Sequence, residues 1–335
     1  MKTRSAFLKS PWQTEIREVE LSDTLADQYV LIRVEACSIC GSDLNEAVDQ
    51  VEEWRPFGHE IAGEIVKVGD HCGTLKPGDK VVIETSRYCG TCDTCRNGRV
   101  DLCNKAPSFW HAGPTLGFSD YMLAPSCCVV PYEGLTPDIA CLAEPAGVAI
   151  DLVKTADIQL GDRVCLVGPG PIGLMAIPLA LRSGAEKVVC IGKSSNTKRL
   201  EVARQLGAET IAIDSLLTDY KELHKQFDRV LMTAPVQLLP DTLSLLAYGG
   251  IVAYIGFGNG LIQFDANDFH FRKLQLRASF ASPGLYLPLA LKLLRNGTIP
   301  GDLLISHRMK LADIGAAMDL CRSNKGTTVK VVIHP

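Results

Sequence analysis

No run of apolar residues in this sequence reaches the roughly 18 that a membrane span needs. The stretch Met1 to Glu20 mixes charged and apolar residues and lacks the apolar core and small-residue cleavage site of a secretory leader. A basic excess is missing too. The 34 Lys and Arg face 38 Asp and Glu, a net charge of −4, which argues against a nucleic-acid-binding protein. There is no internal repeat and no low-complexity tract. These absences predict a soluble, cytoplasmic protein that binds neither nucleic acid nor membrane.

What is present is a chain of 335 residues, 47% hydrophobic, enough for about two domains with sizeable cores. Its 13 cysteines are many for a cytosolic protein. An odd count suits a full disulfide set poorly, so metal binding is the first expectation for some of them.

The first 145 or so residues carry short β-like runs, such as Tyr29–Val34 and Ile61–Val68, punctuated by turns like Lys76-Pro77-Gly78-Asp79. They predict a mostly antiparallel β domain. From about residue 147 strands and helices alternate: Arg163–Val167, Ile172–Ser183, Lys187–Ile191, Lys198–Leu206, then strands at Arg229–Met232 and Ile251–Ile255. That alternation predicts a parallel α/β sheet. Helices Leu287–Leu294 and Leu311–Cys321 and a strand Thr328–Ile333 close the chain.

Five motifs carry chemistry. Cys89, Cys92, Cys95 and Cys103 are separated by two, two and seven residues. Spacing of two lets successive thiolates turn onto one tetrahedral zinc, and four thiolates leave no open position, so the site is structural. A four-iron cluster is the competing centre, with a different usual spacing. Cys40-Gly41-Ser42-Asp43, expected in a turn, and Gly58-His59-Glu60 offer a thiolate, an imidazole and a carboxylate that suit a second, open zinc site. Glu144-Pro145 adds a carboxylate that faces this metal directly or through water, and Asp43 is a natural acceptor for the free nitrogen of His59. Singly, Cys40 reads equally well as a buried small hydrophobe, His59 as a core histidine and Glu144 as a helix-start carboxylate; the case rests on their joint occurrence. Finally, Gly168-Pro169-Gly170-Pro171-Ile172-Gly173 matches G-x-G-x-x-G between a strand and an apolar helix. Gly168 permits the turn, Gly170 lets the backbone approach a pyrophosphate, and Gly173 lets helix and strand pack. The expected acidic residue for an NAD ribose does not occur before Glu201. Lys193, Ser194, Ser195, Lys198 and Arg199 instead suit a 2′-phosphate, with a solvated basic turn as the alternative, so NADP is weakly favoured over NAD.

Together, in this order, these motifs resemble the zinc-containing medium-chain alcohol dehydrogenase superfamily, and Cys-Gly-Ser-Asp with Glu-Pro looks like its sorbitol and polyol dehydrogenase branch. The resemblance spans nearly the whole chain. It implies a GroES-like catalytic domain over 1–146, with the structural zinc lobe at 89–103, a Rossmann domain over 147–283, and a return to the catalytic domain over 284–335. It implies a homodimer or homotetramer and two zincs per chain. Cys40 and His59 are the implied catalytic zinc ligands, with Glu60 a direct or alternating ligand and Glu144 at the fourth position. Ser42 matches the hydroxyl that takes the substrate proton. Asn45 and Glu46 replace the branch's usual His and aromatic, and Ala281 stands where an Arg is common. The expected reaction is therefore oxidation of a secondary alcohol in a polyol, cyclitol or sugar derivative to a ketone. Trp54, Phe57, Phe109, Trp110 and His111 line the pocket or else pack elsewhere. An amino-alcohol dehydrogenase of the L-threonine type is the alternative within the family. A non-catalytic zinc- and nucleotide-binding protein is the alternative outside it; a zinc-free quinone reductase is disfavoured by Cys40, His59 and Glu60.

Overall fold

A computed structural model describes residues 1–256, 258 and 261–335. By packing, the chain forms two units. The first is Met1–Gly147, Ala281–Asn324 and Lys330–Pro335; the second is Val148–Phe280 and Lys325–Val329.

In the first unit, the strand Tyr29–Ser38 is flanked on both sides, so most of its residues are buried. Around it lies a seven-stranded sheet in the order Ile305–Lys310, Lys330–His334, Tyr29–Ser38, Glu60–Val68, Lys80–Ile83, Val129–Pro131, with Tyr121–Pro125 also pairing with Tyr29–Ser38. All pairs are antiparallel except the first. Ile32, Ile61, Ile65, Phe109, Phe118, Met122, Val331 and Ile333 fill the core beneath it. Register decides which side chains share a face. Ser38 lies opposite Glu60 on one side and opposite Val332 on the other. Paired residues share a face, as do residues two apart in a strand. Ser38, Glu60 and Lys330 therefore project together.

The second unit is a six-stranded, all-parallel sheet in the order Glu209–Ala212, Lys187–Gly192, Arg163–Val167, Phe227–Met232, Leu246–Tyr254, Gln275–Ala278. Taking Arg163–Val167 as the first strand, this is the 3-2-1-4-5-6 order of a doubly wound dinucleotide-binding fold, whose direction reverses beside that strand. Cys165, Val167, Val189, Ile191, Val230 and Val252 form its core. Among the described residues no helix is long and apolar enough to cross a membrane.

Candidate active site and metal centres

The lobe at 89–103 is built from one short helix, Asp93–Arg96, and a 3-10 turn, Val100–Leu102. These bring the sulfurs of Cys89, Cys92, Cys95 and Cys103 within 4.8 Å of one another, all as free thiols. Cys92 and Cys103 lie 3.9 Å apart. A tetrahedron with Zn–S bonds of about 2.3 Å has edges of about 3.8 Å, so the separation fits a single zinc; a cubane iron cluster lying between its thiolates would spread them farther. Backbone N–H groups support anionic sulfur: Cys89 N–H donates to Cys103 Sγ at 3.3 Å and Cys92 N–H to Cys89 Sγ at 3.4 Å. The Thr91 hydroxyl and then the N–H groups of Thr91 and Cys92 hold the Cys89 thiol down to about 5. Four thiolates on one zinc would leave no position open for a reaction.

The second cluster sits where the central strand ends. The sequence reading places Cys40 to Asp43 in a turn; instead Cys40 is the N-cap of the helix Gly41–Asp49. The reason is Asp43, at the third helical position and 2% exposed, whose Oδ2 accepts from the Cys40 N–H at 2.9 Å. The same carboxylate reaches His59, with Oδ1 3.5 Å from Nδ1. One buried acid thus fixes the backbone of one donor residue and the ring of the next, turning His59 Nε2 toward Cys40 and Ser42. Ser42 Oγ lies 3.5 Å from that Nε2. Cys40, His59 and Glu60 each offer a donor atom within 4.8 Å of the others. Burial alone would lower the His59 pKa; the charges of Cys40 and Asp43 outweigh it and raise it well above the usual value. A buried site with this surplus of negative donors around an imidazole fits a divalent cation.

Glu60 is wholly buried, and its partners were not anticipated from the sequence. Ser38 Oγ hydrogen-bonds Oε2, and the Lys330 ammonium pairs with both oxygens, 2.6 Å from Oε1. Lys330 also donates to the carbonyl of Ile39 at 2.9 Å. The signal for Lys330 was a charged residue inside an apolar strand. Glu144 lies in the first turn of the helix Ala143–Ala156 and outside the three-residue cluster. Burial pushes its carboxyl up to about 7, opposed by His59 and Lys330 and reinforced by Glu60. Of the expected pocket residues, Trp110 is half exposed with its ring 5.5 Å from that of His59, whereas Phe57 and Phe109 are core. The Trp54 ring takes the Arg17 guanidinium instead. Glu46, one turn beyond Ser42, is ion-paired with Arg55 at 2.7 Å.

In the second unit the glycine loop closes as its motif requires. Gly168 has φ of +102°, and a Cβ there would come within 2.8 Å of the Ala234 nitrogen. A Cβ on Gly173 would come within 2.6 Å of the Gly168 carbonyl. A Cβ on Gly170 would meet nothing within 4 Å. Packing therefore does not demand Gly170; the open space before the helix Pro171–Arg182, which Pro171, Ile172 and Gly173 begin, fits a pyrophosphate approaching its N-terminus. At the end of the neighbouring strand, the Ser194 N–H donates to Asp214 Oδ1 at 3.1 Å. Arg199 donates to the Thr328 carbonyl at 2.8 Å. The segment Lys325–Val329 brings Lys325 to the same place, where burial and then Arg199 and Lys193 depress its pKa. Neither Asp214 nor Lys325 was found from the sequence, because both arrive from distant segments.

Residues 26–137 match the family model of the alcohol dehydrogenase GroES-like domain, and residues 171–295 that of zinc-binding dehydrogenase. The chain is 30% identical to L-galactonate-5-dehydrogenase of Escherichia coli, over 92% of each. It is 32% identical to L-threonine 3-dehydrogenase of Bacillus licheniformis, over 91% of each. Among solved structures, a putative zinc-binding dehydrogenase from Sinorhizobium meliloti, bound to NADP, superposes with a TM-score of 0.86 at 25% identity, covering all of both chains.

Proposed function

The chain belongs to the zinc-containing medium-chain alcohol dehydrogenase family, in its polyol dehydrogenase branch, and on that premise we propose that it oxidises a secondary alcohol of a polyol, cyclitol or sugar acid to the ketone, reversibly, with NAD(P). The observation that carries this reading is the open cluster of Cys40 and His59 beside the Ser42 hydroxyl. Cys40 and His59 hold the catalytic zinc, Glu60 is a direct or alternating ligand, and Glu144 stands at the fourth position, directly or through water. Cys89, Cys92, Cys95 and Cys103 hold a second, structural zinc.

When bound, the catalytic zinc supplies Lewis acidity toward a substrate oxygen, and the nicotinamide supplies the hydride acceptor. The chain's own residues do the rest. Asp43 fixes both donors before substrate arrives. Ser42 accepts the substrate hydroxyl proton and releases its own. Asn45, three residues on along the same helix face, is an amide and cannot carry that proton as an acid or base, so it leaves Ser42 to water. The Trp110 ring beside His59 offers an apolar wall to the carbon skeleton.

The pyrophosphate rests on the loop of Gly168, Gly170, Pro171, Ile172 and Gly173. For the 2′ position we favour NADP: Lys193, Ser194, Arg199 and Lys325 gather there, and Asp214 already accepts from the Ser194 backbone. The NADP-bound relative supports this choice. A homodimer or homotetramer is favoured by the edge strand Gln275–Ala278, near which Phe271 and Phe280 are 73% and 68% exposed. That no cysteine among the described residues is in a disulfide suits the reducing cytoplasm.

The test is NAD(P)H formation by zinc-loaded protein with a panel of polyols, cyclitols, sugar acids and L-threonine, each with both nucleotides. Turnover of a polyol or sugar acid is expected. Preferential turnover of L-threonine, the reading that the 32% identity favours, would reassign the substrate. No turnover by protein that still binds nucleotide would return the non-catalytic reading.

A further inference from the structure

The Glu60 carboxylate lies within reach of the same metal as Cys40 and His59, yet both of its oxygens are already engaged. Three facts make that engagement stiff. Strand register, not a flexible loop, sets Ser38, Glu60 and Lys330 on one face. Glu60 and Lys330 are 0% and 3% exposed, so water does not compete for either charge. The Lys330 ammonium is anchored a second time, by the carbonyl of Ile39, the residue before Cys40.

We propose that Lys330, with Ser38, withholds Glu60 from the catalytic zinc, so that the coordination position Glu60 would otherwise take stays open to substrate. Lys330 is thus a positioning residue. It acts on the metal's ligand set through Glu60 and touches neither substrate nor metal. The inference rests on the reading that Cys40 and His59 hold the zinc, and it departs from the ligand role given to Glu60 there: with both oxygens engaged, the carboxylate reaches the metal only when the lysine charge is lost. Removing the lysine charge while keeping its bulk, as in Lys330→Met, leaves a buried carboxylate whose nearest counter-charge is the metal. Glu60 then becomes a ligand and competes with substrate. Lys330→Arg keeps the charge and leaves Glu60 withheld.

The experiment is cobalt substitution, in which ligand-field bands report the donor set directly. Cys40→Ser identifies the bands of this site; if that change removes none, the assignment of the metal site has failed and not the role of Lys330. Glu60→Gln in the native background is expected to leave those bands unchanged. Lys330→Met is expected to shift them and to lower kcat/KM at least tenfold, mainly through KM. Adding Glu60→Gln to Lys330→Met restores the native bands, and Lys330→Arg keeps them. A changed spectrum for Glu60→Gln alone overturns the proposal, as does an unchanged one for Lys330→Met. Should Lys330→Met fail to fold, Lys330→Gln is read in its place, with the same shift expected and an unchanged spectrum overturning the proposal.

Discussion

Asp43 serves two donors at once, and two substitutions separate its tasks. In Asp43→Ala, the Cys40 N–H loses its acceptor and His59 Nδ1 loses its partner. Removing a capping side chain costs about 0.5–2 kcal/mol, and a buried donor left unsatisfied about 1–3 kcal/mol. A net loss of about 2–4 kcal/mol follows, with the affinity of the catalytic zinc reduced roughly 10–100-fold. Asp43→Asn acts differently. Its carbonyl oxygen keeps the bond to the Cys40 N–H, so most of the stability is retained. Its NH2 then faces His59 Nδ1 and forces that nitrogen to accept, which moves the ring proton to Nε2, the nitrogen beside Ser42. A protonated Nε2 cannot bind a metal. Asparagine is therefore expected to be the better variant for stability and the worse one for zinc. Urea midpoints and zinc per chain measure the two effects separately. If Asp43→Asn holds its zinc as tightly as the native chain, or if Asp43→Ala is as stable as the native chain, Asp43 does not organise this site.

Three further outcomes are expected. Cys92→Ser lowers the unfolding midpoint and removes one zinc per chain while the other stays, because the lobe is closed and separate from the Cys40 cluster. Gly173→Ala forces a Cβ to within 2.6 Å of the Gly168 carbonyl and 2.8 Å of Thr233 Oγ1; calorimetry should find nucleotide affinity reduced about fivefold or more by a strain of about 1–3 kcal/mol, with zinc content unchanged. Glu84, 1% exposed, has its carboxyl raised by burial from 4.5 to about 7, with Arg87 opposing. Below 4.5 it is protonated in both folded and unfolded chains and has no effect; between 4.5 and 7 only the folded chain keeps the proton, so stability falls as pH rises through that window. The full penalty is about 3 kcal/mol. Urea midpoints of Glu84→Gln and the native chain should coincide near the acid end of the window and diverge above it in favour of Gln; parallel profiles would refute the burial argument.

Features encoded in short spacings were legible in the sequence. The four cysteines and the glycine loop each act within about fifteen residues, so local chemistry alone predicts their geometry, and strand–helix alternation gave the parallel sheet. What was not legible depends on register and long-range return. Lys330 meets Glu60 across 270 residues because two strands flank Tyr29–Ser38, and no local pattern reports that adjacency. Lys325 joins the nucleotide unit because five residues near the end of the chain cross back to it. The helix at Cys40 was missed for a subtler reason. Cysteine is not a usual N-cap, and only Asp43 at the third position betrays the cap. Trp54 and Phe109 show the limit of composition: an aromatic near a motif is as readily core or a cation's partner as pocket wall.

The central claim is that alcohol oxidation depends on the open cluster at Cys40 and His59, while the four-cysteine lobe only supports the fold. Cys40→Ser tests it most directly, with zinc per chain, unfolding midpoint and NAD(P)H formation measured on one sample. The account predicts one zinc, a near-native midpoint and no turnover of any alcohol in the panel. Turnover by Cys40→Ser protein that holds only the lobe zinc would contradict it.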